Sequence, residues 1–119
     1  MNIEYFRDYC LNKKGVTESF PFDENTLVLK VMNKMFALTS LSKTWFSVNL
    51  KCDPEKAIEL REKHENIIPG FHMNKKHWNT ITFENEELPN DLVIELIDHS
   101  YDLVVSKLTK KLKEELKRL

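Results

Sequence analysis

The chain has 119 residues, 41% hydrophobic and 31% charged, with 18 Lys and Arg against 19 Asp and Glu for a net charge of −1. That length suits one domain over residues 1–119 with a core of its own, and the near-neutral balance excludes a uniformly basic nucleic-acid binder. No apolar run reaches the ~20 residues of a membrane helix, and Met1-Asn2-Ile3-Glu4 lacks the basic and apolar regions of a secretory signal, so a cytoplasmic protein with Cys10 and Cys52 as reduced thiols is expected.

In chain order, Ile3, Phe6 and Cys10 recur at helical spacing, with Asn2 as a cap and Gly15 beyond the end, which predicts a helix over residues 3–13. Phe20-Pro21-Phe22-Asp23 reads as a connector, stiffened by Pro21 and pinned to the core by its two phenylalanines. Three strand-like runs follow. Leu27, Leu29 and Val31 alternate with Val28 and Lys30, Phe36 and Leu38 with Ala37 and Thr39, and Phe46, Val48 and Leu50 with Ser47 and Asn49. Asn33-Lys34 supplies a tight turn between the first two, because Asn tolerates positive φ. The pattern is that of an antiparallel meander with one apolar face and one face of small polar groups and lysines.

Asp53-Pro54-Glu55 marks a helix start, and the helix runs to about His64 with Ala57 and Leu60 inward. Ile67-Ile68-Pro69 is short and extended. His77 to Phe83 reads as a further strand, with Ile81 and Phe83 on one side and Trp78, Thr80 and Thr82 on the other. Glu84 to Pro89 is an acidic loop, and a long last helix opens at Pro89 or Asn90. Val93, Leu96, Ile97, Val104 and Leu108 keep its spacing, and Leu112, Leu116 and Leu119 continue the stripe. The basic crowd from Lys107 to Arg118 at its end is favoured by the helix dipole. The fold class is therefore α+β, an antiparallel sheet with N-terminal, middle and long C-terminal helices.

Catalytic constellations are absent from this pattern. His72 and His77 have no Asp, Glu or Cys between them to complete a metal shell, so no metal and no cofactor is expected. Cys10 and Cys52 lack a nucleophile signature, two glycines are too few for a glycine-rich phosphate loop, and Glu86-Glu87 lie in a solvent-facing loop. The expectation is a protein that is not an enzyme. What stands out is charge segregation: Thr26 to Cys52 and Asn66 to Phe83 hold no Asp or Glu, yet carry Lys30, Lys34, Lys43, Lys51, Lys75 and Lys76. If the strand phases hold, Lys30, Thr39, Asn49, Lys51, Trp78 and Thr80 share a face able to contact phosphate, with the Trp78 indole free to stack on a base or to shape the site.

The run PGFHMNKKHWNTI resembles the signature of the MmcQ/YjbR family of small bacterial proteins. The FPFD connector, the KVMNKMFAL hairpin, the FSVNLKCDPE strand-to-helix junction and the final helix fall in that family's order. The resemblance implies a YjbR-like, or CyaY-like, α+β fold and a label of DNA-binding that rests on fold analogy. It also implies a characteristic surface of Pro69, His72, Lys75, Lys76, His77 and Trp78, with Lys51 and Pro54 at the second junction.

The expected function is thus an anion-binding module with nucleic acid as its partner, using Lys30, Lys51, His72, Lys75, Lys76, His77 and Trp78. A monomer with no membrane attachment is expected. Two alternatives are a protein-interaction module docking another protein on the open sheet face or the last helix, and a pocket for a small anionic metabolite.

Overall fold

The computed structural model describes residues 1–84 and 88–119, so the Glu86-Glu87 pair of the acidic loop lies outside the described residues. Helix α1 (Ile3–Leu11) starts where the Asn2 side chain accepts a hydrogen bond from the Tyr5 amide at 2.9 Å. It is followed by strands β1 (Val16–Ser19), β2 (Thr26–Val31), β3 (Lys34–Ser40) and β4 (Ser47–Lys51). Helix α2 (Pro54–Lys63) is capped by the Asp53 carboxylate, which accepts from the Glu55 and Lys56 amides. Then come β5 (Ile67–Pro69), β6 (Trp78–Thr82), α3 (Asn90–Ser106) and α4 (Lys110–Lys117). Among the described residues the strands form one sheet in the order β1-β2-β3-β4-β6-β5, and each neighbouring pair is antiparallel. No helix among them is long and apolar enough to cross a membrane.

The helices pack on one side of this sheet. Phe6 and Cys10 of α1, Ala57 and Leu60 of α2, and Val93, Ile97 and Val104 of α3 meet Leu29, Val31, Phe36, Val48, Leu50 and Ile81 in one buried cluster. Each large side chain sealed there contributes about 1.5–3 kcal/mol relative to exposure. The register of β3 slips opposite Leu29 and Lys30, which leaves Phe36 as an extra residue and turns both Phe36 and Ala37 into the core. A slipped ladder strands backbone groups, and Ser100 of α3 resolves this. Its buried hydroxyl donates to the Phe36 carbonyl at 2.5 Å and accepts from the Lys51 amide at 2.9 Å.

The structure corrects several expectations. The connector phenylalanines are not pinned to the core: Phe20 is 48% and Phe22 63% exposed, because Asp23 folds the connector onto its own amides at Asn25 and Thr26. Strand β1 was not anticipated, since Val16 is its lone large apolar residue. The tight turn falls at Met32-Asn33, with φ of 48° and 68°, and Lys34 already pairs with Val31. The long C-terminal helix is two helices, broken after Ser106 and restarted where the Thr109 hydroxyl accepts from the Leu112 amide. Leu108 and Leu116 do join the core, whereas Leu119 is 68% exposed.

The sheet also has a second apolar patch. Val28, Leu38 and Trp78 are buried on the side away from the helices, with Met35 and Met73 against them. That face is therefore not simply polar, as the alternation had suggested.

Candidate functional site

Strand register decides which side chains share the face turned from the helices. Val28 pairs with Leu38, Leu38 with Asn49, Asn49 with Thr80, and Lys51 with Trp78, while Lys30 pairs with Met35. Lys30, Asn49, Lys51, Trp78 and Thr80 thus lie together as the sequence predicted. Thr39 does not: it pairs with Leu27 and Val48, which place it on the helix side, where its hydroxyl donates to the Ser47 carbonyl at 2.7 Å. Its strand phase was taken one residue off, and a single-residue slip exchanges faces.

The 70–77 loop folds back over this face. Gly70 donates to the Trp78 carbonyl at 2.8 Å, and the Phe71 amide donates to the Thr80 hydroxyl at 2.9 Å. A Cβ at Gly70 would sit 2.8 Å from the Trp78 Cβ and 2.9 Å from its carbonyl oxygen, so this close approach admits no larger residue. Just past it His72 takes φ of 60°, an uncommon value for a residue with a Cβ. From the other side of the sheet Arg61 of α2 grips the return limb. Its guanidinium donates to Asn79 Oδ1 at 2.7 Å, to the Trp78 carbonyl at 3.3 Å and to the Lys75 carbonyl. The sequence assigns Arg61 no role, because its role comes from contacts 14 and 17 residues away, which no local pattern signals.

With the loop in place, Trp78 is 8% exposed and packs beneath it with Met73. It is a buttress for the face and not an open stacking platform. His72, Lys75 and Lys76 are exposed in the loop, and His77 is half-buried. The Lys75 ammonium donates to the Gly70 carbonyl at 3.1 Å, so Lys75 holds the loop closed as well as adding charge. Phe22 and Phe71 are exposed aromatics beside this face, the latter 53% exposed with the Lys43 ammonium 5.1 Å above its ring.

Two concavities flank the second apolar patch. One, about 400 Å3, is shared between this face and the end of α3: Asn33, Lys34, Met35, Lys51 and Trp78 line it together with Val104, Lys107 and Leu108, with no carboxylate in its wall. The other, about 520 Å3, has Leu38, Ser47, Asn49 and Met73 in its wall and Phe22, Lys43, Phe71 and His72 around it. Leu38 and Met73 belong to the patch on one side, Met35 and Trp78 on the other. The ion pairs found among the described residues, Arg7 with Glu18, Lys13 with Asp98 and Lys56 with Glu95, belong to the helices, β1 and the turn between α1 and β1. None of them involves Lys30, Lys34, Lys43, Lys51, Lys75 or Lys76. The Arg7 partnership lowers the Glu18 carboxyl below its ordinary value, and backbone donation from Asn25 does the same for Asp23.

No group of three or more His, Cys, Asp or Glu among the described residues is placed to hold a metal. Both thiols are free and buried, and burial pushes Cys10 up to about 12 and Cys52 up to about 11.

Comparison with known proteins gives a consistent kinship. A family model described as YjbR matches residues 11–103. The uncharacterised protein YjbR of Escherichia coli is 32% identical over 119 residues, which is 100% of both chains. The uncharacterised protein YbdF of Escherichia coli is 38% identical over 92 residues, 77% of this chain and 75% of its own. A crystal structure of a Deinococcus radiodurans protein matches with a TM-score of 0.90 at 40% identity, covering 98% of this chain and 88% of that one. A crystal structure of a Pseudomonas syringae protein matches with a TM-score of 0.74 at 29% identity, over 87% of this chain and 98% of the other.

Proposed function

Because this chain belongs to the YjbR family, whose matched relatives are themselves uncharacterised, we propose a function from its own geometry: it is a non-enzymatic module that binds single-stranded nucleic acid across the sheet face turned from the helices. The observation that carries this reading is the segregation of carboxylates. Thr26 to Cys52 and Asn66 to Phe83 hold six lysines and no Asp or Glu, and among the described residues none of the six is in an ion pair. Lys34, Lys51 and Lys107 around one concavity suit phosphate oxygens. Lys30, Lys43, Lys75 and Lys76 extend the positive field, and His72 and His77 add donors.

A single strand fits better than a duplex because the exposed rings on this side, Phe22 and Phe71, reach base faces only where bases are unstacked. The absence of a reaction in this reading is supported by thiols that stay protonated at neutral pH. Two buried free cysteines also suit a reducing cytoplasm, where we place the protein. The test is titration of a fluorescein-labelled oligodeoxynucleotide at low salt, followed by anisotropy. Saturable binding is expected, weakened in a Lys34→Ala, Lys51→Ala double variant. No binding at low salt, or equal binding by that variant, would overturn the proposal.

A further inference from the structure

We infer that the groove of about 520 Å3 is a base-reading pocket: it takes one unstacked nucleobase of the bound strand, with the Asn49 carboxamide as the group that reads it. This inference rests on the nucleic-acid reading and deepens it.

The charges in the groove wall point to a ring more than to a phosphate. One Lys and one Asp line it, Lys43 and Asp23, and the Asp23 carboxylate is turned to its own loop, accepting from the Asn25 and Thr26 amides at 2.8 and 2.7 Å. Beside these and His72 the wall holds uncharged groups: hydroxyls of Ser40, Ser42 and Ser47, the Asn49 amide, and the aromatic ring of Phe71. The volume lies within the about 300–1,000 Å3 usual for small-ligand clefts, ample for a heterocycle and its sugar.

Asn49 is oriented for reading. The Thr80 hydroxyl accepts from the Phe71 amide and donates to Asn49 Oδ1, which fixes the carboxamide and leaves its Nδ2 donors without a partner among the described residues. A base edge rich in acceptors, such as the O2 and N3 of cytosine, meets those two donors. The same relay connects Phe71, the ring at the groove mouth, to the residue on its floor. Stacking on Phe71 and hydrogen bonding to Asn49 are therefore set by one strand position, Thr80. The three-lysine concavity on the far side of the Trp78 patch is left for a neighbouring phosphate.

The experiment compares short oligodeoxycytidine with an abasic strand of equal length and charge, both followed by anisotropy against the full chain. Wild type is expected to hold the base-bearing strand about tenfold tighter, the size of one stacking or hydrogen-bonding contribution. Asn49→Asp keeps the acceptor for Thr80 but replaces the donors with a carboxylate, and Phe71→Ala removes an exposed ring without opening the core. Both variants are expected to collapse the ratio toward unity; the added charge of Asn49→Asp falls on both strands alike. Equal binding of the two strands by wild type, or an unchanged ratio in both variants, overturns the groove assignment while the lysine face stands. If neither strand binds at low salt, the underlying nucleic-acid reading fails, and this inference with it.

Discussion

Arg61 joins the two sides of the sheet through single side-chain contacts. It is rooted in α2 and its planar fork donates to Asn79 Oδ1 and to the carbonyls of Lys75 and Trp78, so one residue ties the return limb of the 70–77 loop to that helix. Arg61→Ala is expected to destabilise the fold by about 1.5–3 kcal/mol, the range for hydrogen bonds to a charged group, with Arg61→Lys intermediate because an ammonium cannot reproduce the fork. Urea midpoints for the three proteins check the order. At this scale the sequence was legible where chemistry is local: the Asn2 and Asp53 caps and the strand-facing Lys30, Lys51 and Thr80 follow from spacing. Trp78 was illegible because its burial depends on a loop folding back over it, and Asn49 because its orientation is set by Thr80 on another strand.

Among the elements, the meander and the capped second helix were readable because each writes its own period into the chain. Strand β1 was not, since Val16-Thr17-Glu18-Ser19 carries too little apolar signal and is fixed by pairing with β2. The break between α3 and α4 was equally hidden, because the apolar stripe runs on through Leu108, Leu112 and Leu116 while the axis turns at Thr109. The junction of β4, α2 and α3 adds a pH dependence. His99 of α3 accepts a hydrogen bond at Nε2 from the Asp53 amide at 3.1 Å, a role open only to the neutral ring. Burial, and then Lys56, lower its pKa from 6.5, outweighing Asp53, Asp102 and Glu95, which act in the opposite sense. The folded value being depressed, the stabilisation is fully present above about 6.5, the unfolded value, and is lost as pH falls through the folded one. Urea unfolding at pH 7 and pH 5 should show a smaller acid loss in His99→Gln, whose amide oxygen accepts without titrating. An equal loss in both proteins would remove His99 as the cause.

At the level of the molecule, a net charge of −1 conceals an uneven distribution, with six lysines and no carboxylate in 26–52 and 66–83 and all the acidic residues elsewhere. Such a protein should bind polyanions with strong salt sensitivity despite its acidic balance. For a single strand, log K falls by about 0.7 per phosphate contact for each decade of salt, so removing Lys34 and Lys51 should flatten the slope by about 1.4. Affinity measured across a salt series in wild type and the Lys34→Ala, Lys51→Ala variant gives both slopes, and parallel lines would place the contacts elsewhere. The indole of Trp78 sits between the two hollows of that surface, 8% exposed under a loop whose neighbours would touch any occupant, whereas Trp45 is 38% exposed. Replacing Trp45 with Phe would leave a single tryptophan, excited selectively over the three tyrosines, whose emission senses its surroundings on that side of the sheet. The protein then carries an intrinsic optical gauge of occupancy, readable without labelling the strand or the chain.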